Sequence, residues 1–446
     1  MYKKYLPAFI VIAALVMPAV AQAIPAFSKK YEAPCSLCHA SWPRLNDVGV
    51  KFKLNGYQMP DSEDGGESGK VSPADNLFLD IGSANPPVSL RLEGGLILIQ
   101  PGEGPDKSQE DKFFCCVEGN AVTLDAGGAM APNISYWLSL PWGKEGVQQG
   151  YLRFVNLFKP GLLAVDIGSM KVVDYDAVPA GREWFGSPLI AFYGSPYNNN
   201  SKEIGLTAAH YDTGLRLYGR PKYGPFTYEF GVYTGAQITS SQNDDSDLAF
   251  TAMGRVDKGK ISVSLRYWGN SSAKIDQKAT NSSGASLLFP ANSKSADEKT
   301  QEFILSARYV HPYFAVDFTL DRTSFSVGDR QVTTDGMTHS FSQDGINRMA
   351  MSLGAIWYVN SWFETGLAYG FSQYEGYTQT IDDEIYKMGN KDVGLLQLRA
   401  QIRPTMNMTF GLEIQMDTSS ASARKRPDGS GFSSQNKIVL QWDLAI

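Results

Sequence analysis

The chain has only four cysteines and four histidines among its 446 residues. Two of the cysteines, Cys115 and Cys116, are adjacent. Two cysteines alone make a poor tetrahedral metal site, so this pair is interpreted as a vicinal disulfide or a pair of thiols. Charged residues make up only 19% of the sequence, and removal of Lys3 and Lys4 with a leader would change the net charge from -6 to -8. That acidic balance argues against nucleic acid as a partner and is compatible with attracting cations.

Long apolar runs are absent after the first two dozen residues. At the start, Lys3 and Lys4 precede a largely apolar stretch, 8–20, and the small residues of a cleavage site follow at 21–23. This order predicts a secretory signal peptide over residues 1–23 that is removed on export. Because no later run approaches about 20 apolar residues, we expect no helical membrane spans.

Beyond residue 80, apolar and polar side chains alternate with a period of two. The pattern is clear in LLQLRAQIR, in MTFGLEIQMD and in the terminal KIVLQWDLAI. Such alternation predicts strands with one apolar and one polar face. A water-soluble sandwich has the same alternation, but Arg399, Arg403 and Glu413 recur on the polar face, which favours the polar lumen of a barrel.

Short turns and long polar loops alternate between these strands. An outer-membrane barrel has this arrangement, with short periplasmic turns, long extracellular loops and an even strand number. The long polar stretches are 101–118, 173–203, 270–300, 325–346, 375–390 and 419–434. Sixteen strands are predicted, near 89–100, 119–127, 133–140, 149–158, 162–172, 204–219, 225–236, 247–257, 260–269, 301–311, 313–324, 347–358, 362–374, 391–403, 406–418 and 435–446.

Aromatic residues cluster beside the predicted short turns. Tyrosine and tryptophan are expected there because their amphipathic rings favour the membrane interface. The last strand ends on Ile446, whereas bacterial barrels more often end on an aromatic residue, which is a small departure from the pattern. The residues of the predicted aromatic girdle are Tyr309, Tyr313, Trp357, Tyr358 and Trp362.

A Cys-x-x-Cys-His run stands near the start, at residues 35–39. Cys35 and Cys38 have the spacing to form thioether bonds to the vinyl groups of one haem, and His39 follows where its imidazole can bind the iron as proximal ligand. Export agrees with this interpretation, because bacteria attach c-type haem outside the cytoplasm. A zinc or redox Cys-x-x-Cys would need further ligands nearby, and the other three histidines lie beyond residue 200.

The residues after this motif predict a helix and then a distal loop. In SWPRLNDVGVKFKLNGY, Ser41 is the expected cap and Gly56 the expected end of the helix. Met59 precedes a proline, as in the distal loop of small cytochromes c, and a thioether as sixth iron ligand would raise the redox potential. The alternative keeps Met59 in a linker with DSEDGGESGK, and water or a barrel residue then completes the iron coordination.

The stretch IPAFSKKYEAPCSLCH…WPRLN…G..FK.NGY resembles the fused cytochrome-porins of iron-oxidising bacteria. These are single-haem outer-membrane proteins that take electrons from ferrous iron at the cell surface. The resemblance implies Cys35 and Cys38 as the haem attachment and His39 as the proximal ligand. The close match covers residues 24–57. Beyond it the likeness is architectural, and it does not fix the distal ligand.

Together these features predict a mostly β protein with a leader over 1–23. A transmembrane antiparallel β-barrel of about 16 strands is expected over 76–446, and a small N-terminal α-helical c-type haem domain, acting as a plug, over 24–75. Because the outer membrane insulates across about 30 Å of hydrocarbon, one covalently bound haem c inside the barrel would connect its two sides.

The resemblance implies electron transfer from extracellular Fe(II) through this haem to a periplasmic c-type cytochrome, an oxidoreductase reaction between ferrous iron and cytochrome. The barrel would lie in outer-membrane lipid. Two alternatives stay open: a diffusion porin with an appended periplasmic haem domain, and a conduit for a different extracellular electron donor. Ion conductance distinguishes the porin from a closed barrel.

Overall fold

The structure is a computed structural model of the 446-residue chain. It describes residues 27, 31, 34–41, 44–59, 88–101, 112–115, 122–131, 133–141, 149–178, 211–234, 248–270, 277–280, 286–289, 299–334, 337–381, 384–388, 391–405, 408–419 and 435–445. The predicted leader, the residues 60–87 between motif and barrel, Cys116 and Ile446 lie outside these residues.

The described elements are one α-helix, α1 (Asp47–Leu54), two short 3-10 turns (Cys35–Leu37 and Pro221–Tyr223) and a series of strands. In chain order the strands are β1 (His39–Ser41), β2 (Arg44–Leu45), β3 (Val88–Pro101), β4 (Lys112–Cys115), β5 (Val122–Ala131), β6 (Ile134–Pro141), β7 (Gln149–Leu157), β8 (Leu163–Lys171), β9 (Tyr211–Gly219), β10 (Phe226–Tyr233), β11 (Ala249–Lys258), β12 (Ile261–Asn270), β13 (Gln277–Thr280), β14 (Ser286–Phe289), β15 (Lys299–His311), β16 (Phe314–Thr334), β17 (Met337–Tyr358), β18 (Phe363–Tyr374), β19 (Tyr377–Ile381), β20 (Glu384–Met388), β21 (Lys391–Thr405), β22 (Met408–Asp417) and β23 (Gln435–Ala445).

The strands close into an antiparallel barrel. Among the described residues, sixteen strands form its wall: β3, β5–β12, β15–β18 and β21–β23. The last strand pairs with the first, β23 with β3, in register from Gln435 opposite Pro101 to Ala445 opposite Arg91. Closure leaves no open sheet edge, which is what a β structure needs in hydrocarbon. Each strand predicted from the sequence falls on one of these wall strands.

Side chains alternate across the wall as the sequence pattern predicts. Phe230 and Leu353 point outward and are 56% and 55% exposed, whereas their neighbours Glu229 and Ser352 point inward and are buried. An apolar outer face and a polar inner face suit a barrel in lipid. Three aromatic residues beside the short turns, Tyr313, Trp357 and Trp362, are also exposed, in the position expected for an interfacial girdle.

The two rims of the barrel differ in their connections. Short turns of two to six residues join alternate pairs of wall strands, for example β7 to β8 and β9 to β10; this end is called the short-turn rim below. At the other end, part of what was predicted as loop is strand. The predicted loop 325–346 continues β16 and β17, and 375–390 contains the β19–β20 hairpin. Threonine, valine and phenylalanine in these polar stretches favour pairing even without a buried face.

The expected α-helical haem domain is wrong. Over residues 34–59 the structure describes only a 3-10 turn, the two-stranded β1–β2 sheet and the eight-residue α1. Residues 44–58, called the inward segment below, instead contact side chains of the barrel's inner face through most of their length. A segment this short buries too little apolar surface to fold alone, so the wall supplies the packing that a separate domain would have had to supply itself.

After β8, residues 172–178 turn into the lumen. Ala177 N–H donates to the hydroxyl of Ser264 at 2.9 Å, and Arg266 donates to the carboxylate of Asp176 at 2.7 Å. Apolar side chains of this stretch pack with Met170 of β8 in a buried cluster. Within the described residues, no helix has the length and hydropathy needed to cross a membrane.

Candidate functional site

The Cys-x-x-Cys-His run forms a compact turn. Cys35–Leu37 are a single 3-10 turn, in which Leu37 N–H donates to the carbonyl oxygen of Pro34 at 2.9 Å. Cys38 directly follows this turn. His39 follows as the first residue of β1. Cys38 and His39 are half-buried, and the side chain of Cys35 lies outside the described part of the chain.

Asn46 ties α1 to this turn. Its Oδ1 caps the helix by accepting from Gly49 N–H at 2.9 Å, and its Nδ2 donates to the carbonyl oxygen of Leu37 at 2.9 Å. Its backbone N–H donates to the carbonyl oxygen of Cys38, also at 2.9 Å. One asparagine therefore fixes both the start of the helix and the end of the cysteine turn. Ser41, the predicted cap, lies in β1 instead.

Gly49 permits a close approach between α1 and the cysteine turn. A Cβ at this position would lie 2.2 Å from the carbonyl oxygen of Cys38 and 2.9 Å from Leu45 Cδ2. The first contact is with backbone, so a side chain would have to push the helix away from the turn. Asn46 and Gly49 both belong to the WPRLN…G stretch that carries the family resemblance. The sequence pattern therefore marks both residues, but it does not predict what each one contacts.

Apolar side chains remain exposed beside the turn. Leu37 is 39% exposed and Val48, in the first turn of α1, is 37% exposed. Exposed apolar surface next to paired cysteines and a histidine is the surface that a covalently attached porphyrin would cover. The residue types, their spacing and this surface fit a c-type haem held by Cys35, Cys38 and His39.

A buried ion pair anchors the start of the inward segment. Arg44 Nη2 donates to Asp317 Oδ2 at 2.8 Å, and both side chains are 2% exposed. Asp317 lies on β16 close to the short-turn rim and also accepts from Arg308 Nε at 2.8 Å. Two guanidinium groups therefore share this carboxylate.

Two further ion pairs hold α1. Lys53 Nζ contacts Asp174 Oδ1 at 2.6 Å, and Asp47 accepts from Arg220 Nη2 at 3.0 Å. Burial alone would raise the pKa of Asp174, but the charges of Lys53 and Arg216, with the hydrogen bond from Lys53, together outweigh burial and hold that pKa well below its ordinary value. Burial also opposes ionisation of Asp47, yet hydrogen bonding from Lys51 and the charge of Arg220 lower its pKa. Both carboxylates are therefore ionised at neutral pH.

The far end of the inward segment meets residues beside the short turns. Asn55 Oδ1 accepts from Asn156 Nδ2 at 2.8 Å and also from the hydroxyl of Tyr223. Gly56 has φ of 68° and Tyr57 has φ of 59°, a left-handed conformation that glycine adopts readily and tyrosine rarely. These two residues end α1 and turn the chain toward the wall.

Tyr57 is the centre of an aromatic cluster. Its hydroxyl lies 2.9 Å from the hydroxyl of Tyr151 on β7. Its ring stacks on Phe27 at 5.2 Å, and the rings of Phe52 and Trp137 lie 6.1 and 5.4 Å away. Aromatic pairs at these separations are stabilising beyond the area they bury. Tyr57 therefore contacts the wall, and Phe52 packs against Tyr57.

The inner face of the wall adds a buried arginine to the same contact. Arg153 donates to both carboxylate oxygens of Asp166 at 2.7 and 2.9 Å, to the backbone oxygen of Lys53 at 2.6 Å and to the hydroxyl of Tyr175 at 2.6 Å. Sequence reasoning missed Arg153 and Asp166. The alternating pattern places both on the polar face, but it gives no information on their partners.

Met59 stands at the other end of α1 from the cysteine turn. The eight-residue helix spans about 12 Å, and Met59 comes after the buried Gln58 and is itself half-buried. The structure describes a 3-10 turn over Cys35–Leu37 with His39 at the start of β1, and Met59 as the distal ligand stays a prediction. Among the described residues, no three or more histidine, cysteine, aspartate or glutamate side chains are grouped to hold a metal ion.

Inward-facing polar side chains are buried around the whole barrel. A wide water-filled lumen would leave such side chains wet. Those that are no more than 1% exposed include Arg153, Arg216, Arg266, Ser306, Thr319, Ser352, Glu364, Gln401 and Glu413.

Three solved structures of low sequence identity have a similar barrel. A loop L8 deletion mutant of OmpT, an outer membrane protein of Vibrio cholerae, is 11% identical with a TM-score of 0.51. OmpT of Vibrio cholerae folded in vitro, in its trimer form, is 10% identical with a TM-score of 0.50. The anion-selective porin from Comamonas acidovorans is 13% identical with a TM-score of 0.50. Each match covers 80% of this chain and 98% of the other.

At these identities the likeness shows the fold alone, a closed antiparallel barrel of the porin type. No protein-family model and no curated protein matches the chain.

Proposed function

We propose that this barrel is an outer-membrane electron-transfer protein with one c-type haem bound through Cys35 and Cys38 and coordinated by His39. The observation that carries the proposal is that the chain directly after this motif is anchored to the inner wall. The ion pair of Arg44 with Asp317 of β16 and the hydrogen bond from Arg153 of β7 to the backbone oxygen of Lys53 fix it there. A haem at this turn would be a built-in part of the barrel.

Extracellular Fe(II) is the proposed donor and a periplasmic c-type cytochrome the proposed acceptor. The donor rests on the resemblance over residues 24–57. When bound, the haem iron would take one electron from Fe(II), leaving Fe(III), and pass it to the acceptor. Carboxylates of the long loops would hold Fe(II) only briefly, because hard oxygen ligands suit that ion without trapping it as sulfur would. Met59 as distal ligand would keep the potential high enough to accept the electron.

A diffusion porin is the second candidate, and the likeness to solved porins favours it more directly than it favours iron oxidation. The burial of inward-facing polar side chains argues the other way. A diffusion pore needs a continuous water-filled path, whereas Glu364 and Glu413 on the inner wall are fully buried. Electron transfer needs no such path.

Two measurements on the purified protein distinguish these functions. In a planar bilayer, a closed barrel passes little ion current, whereas a diffusion porin gives large, stable conductance steps. In stopped-flow spectroscopy, the ferric haem should be reduced by Fe(II). A Cys35→Ala, Cys38→Ala double variant should lack covalent haem on a stained denaturing gel and serves as the control. Porin-like conductance without any reduction by Fe(II) would contradict the electron-transfer function and support the diffusion porin.

A further inference from the structure

The charged residues within the described short turns are of one sign. Lys159, Lys222, Lys258 and Lys260 lie in or directly beside three of the turns, and all four are exposed. Within the short turns that the structure describes, there is no aspartate or glutamate. The whole chain nevertheless has a net charge of -6, so this rim is opposite in sign to the chain as a whole.

These lysines form one patch beside the inward segment. The three turns join β7 to β8, β9 to β10 and β11 to β12, and β8 pairs with β9 and β10 with β11. At about 4.8 Å between strands, the patch extends on the order of 20 Å along the rim. Arg220 of the middle turn donates a hydrogen bond to Asp47 of α1, and Asn156 beside the first turn donates one to Asn55.

The next two short turns along the rim, which join β15 to β16 and β17 to β18, are different. The turns 312–313 and 359–362 contain no lysine or arginine and present exposed Tyr313 and Trp362 instead. Lysines that served only to contact lipid phosphates would be expected around the whole circumference. Their concentration beside α1 and Asn55 indicates a ligand that approaches the inward segment.

We propose that this basic patch, made of Lys159, Lys222, Lys258 and Lys260, is the docking surface for an acidic soluble protein that exchanges electrons with the site. The inference rests on the proposed function and names the charge of its partner. The one exposed carboxylate of α1, Asp47, is flanked by Lys51 and Arg220, so it does not reverse the sign of the surface.

The geometry suits a transient complex. A weak redox partner buries a small, polar interface, and a patch of about 20 Å is sufficient for it. Charges at the edge of such an interface act mainly on the association rate, since they steer the partner during approach. By the rule for bacterial barrels, the short-turn rim faces the periplasm, where soluble electron carriers diffuse.

The test measures binding rather than electron transfer. The full-length protein in detergent is immobilised, and two probes of similar size are passed over it, an acidic and a basic soluble c-type cytochrome. The acidic probe should associate faster. Reversing all four lysines to glutamate should slow its association by about tenfold or more at low salt. The effect should shrink near 0.15 M salt, where charges are screened beyond about 8 Å.

A matched pair of single variants controls for the change in charge. Lys260→Glu should slow association of the acidic probe, whereas Lys299→Glu, an exposed lysine at the long-loop end of β15, should not. Equal effects of the two variants, or no preference of the wild type for the acidic probe, would overturn the proposal.

Two further experiments distinguish this proposal from the proposed haem function and from binding of lipid headgroups. The Cys35→Ala, Cys38→Ala variant should bind the acidic probe as well as the wild type does. Binding of the probe and reduction of the haem are therefore independent readouts, and either one can fail while the other succeeds. Vesicles of phosphatidylglycerol and of phosphatidylcholine test the lipid explanation. If lysine reversal weakens binding to the anionic vesicles only and leaves the acidic probe unaffected, the lysines contact lipid headgroups and the docking surface is wrong.

Discussion

Removing Asp317 should release the inward segment from the wall far more than removing Arg44 does. Asp317 accepts from Arg44 and from Arg308, at 2.8 Å from each. Arg44→Met leaves the Asp317–Arg308 pair intact. Asp317→Asn leaves two buried guanidinium groups beside a neutral amide. The two variants delete the same contact but leave different charges behind.

The magnitudes follow from what each variant leaves unpaired. Arg44→Met removes one hydrogen bond between charged groups, so undocking should become easier by about 1.5–3 kcal/mol. Asp317→Asn removes the shared carboxylate of two buried ion pairs, and removing one partner of a buried pair costs about 3–5 kcal/mol. Since about 1.4 kcal/mol is a factor of ten in an equilibrium constant, the population with the segment detached should rise by roughly 10- to 100-fold and by at least 100-fold, respectively.

Amide hydrogen exchange of α1 measures this population. Within α1, the N–H of Val50 donates to the carbonyl oxygen of Asn46 at 2.9 Å, and it should exchange faster in proportion to detachment. Asp321→Asn is the matched control, because Asp321 is equally buried on β16 and pairs with Arg348, away from the inward segment. If Arg44→Met accelerates exchange as much as Asp317→Asn, or if neither exceeds the control, the segment is not anchored here.

Four further outcomes are expected. Gly49→Ala should lower the yield of covalent haem on a stained gel, because its Cβ would meet the Cys38 carbonyl at 2.2 Å, whereas Gly254→Ala, with 3.9 Å to its nearest neighbour, should not. Met59→Ala should lower the haem potential and slow reduction by Fe(II) with the haem still attached; an unchanged potential and rate would show that Met59 is not the ligand. Because the folded pKa of Asp174 lies below its ordinary value, its stabilising contribution should persist from pH 8 to about 4 and fall only in stronger acid; loss of α1 protection between pH 7 and 5 would contradict this. Protease added to intact cells should cut within 270–300, and cutting only after the outer membrane is opened would show the opposite topology.

The barrel was predictable because its signal is local and repeated. In a strand, one residue decides the face of the next, so Leu412 outward and Glu413 inward follow from the sequence alone. The lengths of the strands were less predictable. Residues 325–334 are polar and were assigned to a loop, yet they pair with β17. Backbone hydrogen bonds satisfy a hairpin above the membrane without any apolar face, so hydropathy alone does not reveal it.

The site was predictable only as far as chemistry is encoded in spacing. A run of five residues predicts Cys35, Cys38 and His39 as the haem residues, and this stays a prediction; the structure describes a 3-10 turn over Cys35–Leu37 with His39 at the start of β1. The assignment of this region to a helical domain was wrong because its contacts are remote in sequence. Arg44 and Asp317 are 273 residues apart, and nothing in the local pattern says that a lysine or arginine after the motif will be buried in an ion pair instead of solvated.

The position of the anchors also orders the two electron-transfer steps of the proposed function. Arg44, Asp47 and Asn55 all bond wall residues close to the short turns, so a haem at the cysteine turn would stand near that rim. An apolar band of about 25 Å then separates it from a donor held at the long loops, but not from an acceptor docked on the short-turn rim. The long step should therefore limit turnover when the acceptor is abundant. Lysine reversal on the rim should slow turnover only when the acceptor is scarce, since only then does its association become the slower step.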